Sequence, residues 1–317
     1  MMRHYTFIDY ATQSYIALVG LLILCFHNQT VPEWPALVAL HAICGVLIHL
    51  LIAGYTSHTT NRSLRFLRGF YPVILYTLWY RETGAVNRMF ITDYLDPVFI
   101  RLEQNIFGLQ PSLAFMDGLP YLPLSEVFYA AYFSYYLMIV GVGFALYLRQ
   151  AAHFQHYLAV MSFVFYLCYC FYIFLPVIGP RTFFREIEGY HLPPDLEALS
   201  QRSSFPDAVR AGPFYHLMAF IYHGFEAPGA AFPSSHVAVA ICTLYFSFRY
   251  LRQIRYLHLT LVILLCLSTI YGRYHYALDV VAGGFTAAIL IPLGNYLYRR
   301  APHRSLTTGD TNTDDEG

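Results

Sequence analysis

Apolar residues gather along this chain into eight blocks separated by polar breaks, at about 14–27, 36–54, 66–80, 124–148, 155–178, 236–253, 257–273 and 276–298. An apolar helix of ~20 residues crosses a bilayer, and ~17 suffice at the short end. The second, fourth, fifth and eighth blocks meet that length directly. The first meets it once flanking residues from Thr12 to His27 are included, and the third (Phe66–Tyr80) is the weakest, short enough to lie in the interface instead. The pattern predicts an all-α fold: a polytopic transmembrane helix bundle of about eight spans. It divides into N-terminal transmembrane helices (1–65), a larger membrane domain (66–300) and a disordered, polar, acidic tail (301–317).

Two longer segments break the alternation. In 84–123, Phe99, Leu102 and Ile106 recur at helical spacing with Arg101, Glu103 and Gln104 opposite. This predicts an amphipathic helix lying on the membrane, ended by Gly108 and Pro111. In 179–235, rich in charge and proline, a short apolar helix is expected from Phe214 to Tyr222. No internal repeat is visible.

Composition agrees with a membrane protein. Hydrophobic residues make up 57% and charged residues 12%, against ~25% charged in soluble domains, and the mean hydropathy is +0.45. The formal net charge is zero, so no nucleic-acid partner is implied. No small-residue cleavage site follows the first block, which reads as a retained span rather than a signal. Cys168 and Cys170 fall in the middle of an apolar block without a second pair, so they read as packing and no metal site is expected.

Lysine is absent, so arginine carries every fixed side-chain cation. Eight spans place Arg3, Arg62, Arg65, Arg149, Arg252, Arg255, Arg299, Arg300 and Arg304 on one side, with Arg68 and Arg249 at its boundary. The positive-inside rule makes that side cytoplasmic.

On the opposite side three block ends carry chemistry. Gly179-Pro180-Arg181 closes the fifth block, Pro233-Ser234-Ser235-His236 opens the sixth, and Tyr271-Gly272-Arg273-Tyr274-His275-Tyr276-Ala277-Leu278-Asp279 lies between the seventh and eighth. On one helical face, Asp279 would hold one ring nitrogen of His275 and leave the other as a nucleophile. Pro233 suits a first helical turn, whose free N–H groups, with Ser234 and Ser235, would attract an anion. His236 is positioned to protonate a leaving oxygen. Arg181 offers a fork for phosphate oxygens, and Arg273 offers a second. Charge clamps, nucleophile and acid together fit phosphoryl transfer through a phosphohistidine. A transporter using His275 and Asp279 as a proton relay is the rival, but the charges cluster at helix ends and inverted repeats are missing.

The same residues resemble the type-2 phosphatidic acid phosphatase superfamily, and within it the branch of inositol phosphorylceramide synthase-like proteins. Pro233 to His236 match its P-S-x-H motif, His275 and Asp279 its H-x-x-x-D ending, and Arg181 the arginine closing its first motif. The resemblance implies a six-helix core from about residue 66, with two additional N-terminal helices. It implies His275 as nucleophile, His236 as general acid and Asp279 as orienter, with Arg181, Ser234 and Ser235 on the phosphate and no cofactor. The usual lysine of the first motif is missing, and Thr269 stands where the third motif commonly has arginine, which leaves Arg273 as the substitute. The expected substrate is a membrane lipid phosphate or phospholipid, with water or an alcohol as acceptor. The expected location is the cell membrane, with the site facing outward.

Overall fold

In the computed structural model, which describes residues 5–57, 61–184, 193–196, 199, 204–225 and 228–301, each apolar block forms one helix. The long helices are α1 (Phe7–Phe26), α2 (Trp34–Ser57), α3 (Arg62–Val86), α6 (Leu122–Arg149), α7 (Ala151–Phe174), α11 (Ser235–Tyr250), α12 (Arg255–Tyr271) and α13 (Ala277–Arg300). Between them lie α4 (Asp96–Phe107), α5 (Pro111–Gly118), α8 (Pro180–Phe183), α9 (Asp207–Arg210) and α10 (Pro213–Phe225). The expected tail, and with it Arg304, lies outside the described residues, as does Arg3.

Among the described residues five helices are long and apolar enough to cross a membrane: α1, α2, α6, α7 and α13. The other three differ from the eight-span expectation for physical reasons. Helices α11 and α12 run only 16 and 17 residues. Helix α3 is 25 residues long but carries Arg62, Arg65, Arg68, Arg81 and Glu82. Two of those charges are satisfied inside the bundle. Arg68 is ion-paired with Asp9 of α1, which also accepts from the Tyr71 hydroxyl at 2.7 Å. Glu82 meets His41 Nε2 of α2 at 2.7 Å. A helix whose polar groups are paired by neighbours need not be apolar all round.

Helix α7 runs through the centre. It packs on α1, α3, α6, α11 and α13, and most of its side chains are buried. Cys168 is fully buried on this helix, where it packs as a small apolar side chain. The two N-terminal helices contribute Tyr15, Ile16, Val19, Ile23, Ile48 and Ile52 to the same hydrophobic core as α7, α11 and α13.

The amphipathic helix forms where expected, with Gly108 in the left-handed conformation at its end and Pro111 opening α5. Its apolar stripe is exposed as a membrane-facing side would be, but the opposite face is packed against the protein rather than solvated. Leu102 and Ile106 are exposed, whereas Asp96, Ile100 and Glu103 form the buried face. In a bundle surrounded by lipid the apolar face points outward, and the inner face is free to carry acids that find donors.

Candidate active site

The three motif-bearing chain ends converge at one end of the bundle. The segment after α7 is anchored from both sides. Leu95 N–H donates to the Pro176 carbonyl at 2.9 Å, and Ala231 N–H donates to the Val177 carbonyl at 2.8 Å. Asp96, fully buried, accepts from Ile178 N–H, Gly179 N–H and the Tyr276 hydroxyl, each at 2.9 Å. One carboxylate of α4 therefore joins the loop before Arg181 to the loop of His275. Glu103, one turn-pair along the same face, accepts from Leu278 N–H at 3.1 Å. Burial raises both acids to about 7, Asp96 against the pull of its three donors. Neither acid is among the residues that the sequence motifs point to.

Gly179 has φ +95°, and a Cβ there would stand 2.6 Å from the Tyr274 carbonyl oxygen. Only glycine permits that approach. Arg181 follows in α8, its N–H donating to the Arg273 carbonyl at 2.6 Å. Its guanidinium carbon lies 4.6 and 4.8 Å from the ring centres of Tyr222 and Tyr274, two stacked tyrosines. Such contact orients a guanidinium without removing its charge.

The histidines meet. His236 Nδ1 lies 3.2 Å from His275 Nε2, and His275 Nδ1 lies 3.4 Å from Asp279 Oδ2. Asp279 does not share a helical face with His275, as the spacing suggests it would. Helix α13 begins at Ala277, and Asp279 reaches back from its first turn to accept from Tyr276 N–H at 2.8 Å and to contact the ring of His275. His275 sits in the preceding loop, its N–H donating to the Thr269 carbonyl at 3.1 Å, which also takes Tyr274 N–H. Burial lowers its pKa to about 4, against a partial rise from the Ala231 backbone, so the ring is neutral at physiological pH. A neutral ring with Nδ1–H toward Asp279 leaves Nε2 as the lone-pair nitrogen facing His236.

The helix start that opens the sixth block is built differently from the expectation. Pro233 lies one residue before the cap, and its carbonyl accepts from the Tyr172 hydroxyl at 3.0 Å. Ser234 is the N-cap, with Oγ accepting from Val237 N–H at 3.4 Å, and its own N–H donates to the Asp279 carbonyl at 3.1 Å. Ser235 N–H is held by Tyr172 at 3.1 Å. Ser234 and Ser235 are both buried, and the N–H groups of Ser234, Ser235 and Val237 are engaged by the protein itself.

Arg273 is not brought to the histidines. Buried, with φ +60°, it pairs with Asp117 at 2.8 Å and reaches the Ser204 carbonyl at 3.4 Å. The cavity between the motifs, about 30 Å³, is lined by Arg181, Thr182, His236, His275, Tyr222 and Tyr274 among others. A larger groove of about 420 Å³ adjoins it, lined by Tyr76, Tyr80, Phe133, Tyr135, Val140 and Phe165, with Ser235, His236 and Tyr222 at its inner end. Tyr80, Tyr222 and His236 border both spaces.

The order of these motifs and their convergence agree with comparison to known families. A model of the PAP2 superfamily matches residues 98–293, and the chain belongs to that superfamily. Membership supports an enzyme of phosphatase or phosphotransferase type. Comparisons with curated proteins and with solved structures found no match. The match begins within α4, so it includes Glu103 and all three motifs and leaves Asp96 just outside.

Proposed function

We propose that this chain is an integral-membrane lipid phosphatase or phosphotransferase that works through a phosphohistidine on His275. The observation that carries the reading is the juxtaposition of His236, His275 and Arg181 around one cavity, with Asp279 behind the His275 ring. The Nε2 lone pair of His275 attacks phosphorus, the bond from phosphorus to the leaving oxygen breaks, and His236 gives that oxygen a proton. Water or an alcohol then attacks the phosphohistidine, His236 takes the proton, and the P–N bond breaks. Arg181 holds the non-bridging oxygens, whose charge it stabilises. Asp279 keeps the proton of His275 on Nδ1.

The groove supports a lipid substrate. Its aromatic and aliphatic walls suit an acyl chain, and its inner end delivers a headgroup to His236. The structure is a closed resting arrangement for this chemistry. In-line transfer needs the two reacting nitrogens about 6–8 Å apart, with phosphorus and the leaving oxygen between them, whereas they stand at 3.2 Å. The cavity holds about one water. Substrate entry therefore moves the His236 ring away from His275.

Transfer to water makes the enzyme a phosphatase of the phosphatidic acid type. Transfer to an alcohol makes it a headgroup phosphotransferase of the inositol phosphorylceramide synthase type. Purified protein incubated with a panel of lipid phosphates and phospholipids, scored for free phosphate against transferred headgroup, decides between them. Failure to form product from any lipid would remove the proposal.

Applied to eight spans, the positive-inside rule supports a site on the extracytoplasmic face of the cell membrane. In a background lacking native cysteines, a cysteine at Asp195 is expected to react with a membrane-impermeant thiol reagent in intact cells, and one at Arg252 is not. The reverse pattern inverts the topology.

A further inference from the structure

A second cavity, about 450 Å³, lies at the other end of the bundle. It is framed by the starts of α1 and α7 and the last turns of α11 and α13. Along α11 alone, the fourteen steps from His236 to Tyr250 span about 21 Å, so the two sites are separate. Its lining contains Arg68, Arg249, Arg299, His153 and His156, and no carboxylate lines it among the described residues. Arg68 is neutralised by Asp9 behind the wall. Arg249 donates to the Tyr245 hydroxyl at 3.1 Å and Arg299 to the Asn295 carbonyl at 3.2 Å, both neutral acceptors.

The remaining polar groups are fixed in place. His156 bonds the Tyr250 hydroxyl at 2.8 Å and Asn295 Oδ1 at 2.7 Å, and His153 stacks on the Tyr250 ring at 3.8 Å. Arginines in the last turn of a helix complement its dipole, which explains why two arginines are there. It does not explain why they share a void with two histidines and with the positive N-terminal end of α7, whose first turn carries no acid. Phe7, Phe154 and Leu158 form an apolar wall beside the cations.

We propose that this cavity binds a phosphate group, supplied by the headgroup of an anionic phospholipid in the leaflet at the arginine-rich end of the bundle. The guanidinium groups of Arg249 and Arg299, which meet no carboxylate among the described residues, and the N-terminus of α7 form an anion site, and the apolar wall accommodates the glycerol and upper acyl chain. The cavity volume lies in the range of small-molecule sites. The inference is independent of the chemistry assigned to His275.

The test uses the full chain purified in detergent, with phosphatidylglycerol and phosphatidylcholine offered together and retained lipid counted by native mass spectrometry. The wild type is expected to retain phosphatidylglycerol in preference. R249Q/R299Q is expected to lose that preference by about tenfold or more, R249K/R299K to restore most of it, and R252Q/R255Q, at the same end but off the cavity, to leave it unchanged. Full retention by R249Q/R299Q, or an equal loss in R252Q/R255Q, overturns the proposal. Displacement by millimolar inorganic phosphate would identify a soluble phosphate as the source, and resistance to it identifies the lipid. A photoreactive phosphatidylglycerol gives a second measurement on the unmutated protein. Cross-links are expected within Ala152–Leu158 or at Arg249–Tyr250, and cross-links confined to other segments contradict the site.

Discussion

His236 Nδ1 stands 3.2 Å from His275 Nε2, close enough for one ring to donate to the other. In the proposed mechanism this contact occupies the lone pair of the nucleophile until a phosphate separates the two rings. Asp279, in contact with the opposite nitrogen of His275, fixes which nitrogen is presented.

Asp279→Asn is therefore expected to reduce turnover by about 10²–10⁴-fold rather than abolish it, because the imidazole remains and its preferred tautomer is lost. The asparagine oxygen still accepts from Tyr276 N–H, so the start of α13 survives. Steady-state kinetics together with a thermal melt make the check. Near-normal turnover would remove Asp279 from the mechanism.

The two arginines next to the motifs are expected to separate by readout. Arg181→Gln should lower turnover by about 10²–10³-fold, the scale for one lost stabiliser of developing charge, with the melting temperature nearly unchanged. Arg273→Gln should do the opposite and destabilise the fold by about 1–2 kcal/mol, because it loses the charged hydrogen bond to Asp117 and the packing of a buried side chain. If Arg273→Gln loses turnover with an unchanged melt, Arg273 belongs on the phosphate after all.

Gly179→Ala is expected to be among the most damaging small substitutions. The backbone is left-handed there, and the added carbon would stand 2.6 Å from the Tyr274 carbonyl. The strain is about 1–3 kcal/mol from backbone conformation alone, and relief requires moving Arg181 or His275. Turnover and expression measured together check it, and an active, well-expressed variant would refute the tight packing of the two loops.

Asp96 gives the stability a pH dependence. Its pKa rises from 3.8 in the free side chain to about 7 in the fold. The folded chain holds that proton more tightly than the unfolded chain, so this group's contribution is greatest at low pH. It is lost as pH rises from about 4 to about 7 and is level beyond. Glu103 acts in the same direction. Asp96→Asn should flatten the decline in melting temperature between pH 5 and pH 7, and an unchanged slope would place the titration elsewhere.

Much of this site is legible in the residues alone. The types of His236, His275, Asp279 and Arg181 at the ends of apolar blocks point to one another, and the eight blocks mark eight helices. The inner face of α4 is not legible. Periodicity locates Phe99, Leu102 and Ile106 on the membrane-facing side and Glu103 opposite them, but it does not show that Asp96 and Glu103 are buried there, accepting from the backbone N–H groups of two loops. Arg273 is indistinguishable from Arg181 by type, since only the fold reveals the carboxylate of Asp117 beside it. Pro233 and Ser234 resemble an open anion site because the order of residues does not show that Tyr172 and the Asp279 carbonyl reach the same helix start.

The central claim is the covalent intermediate on His275. Purified enzyme mixed with a lipid phosphate carrying radiolabelled phosphorus, quenched within one turnover under alkaline conditions and digested, should yield an acid-labile labelled peptide containing His275. His275→Ala should show neither label nor turnover while still melting cooperatively. His236→Ala should accumulate label slowly or not at all, according to how far the leaving oxygen needs its proton. Label on a different residue, or turnover retained in His275→Ala, would contradict the mechanism.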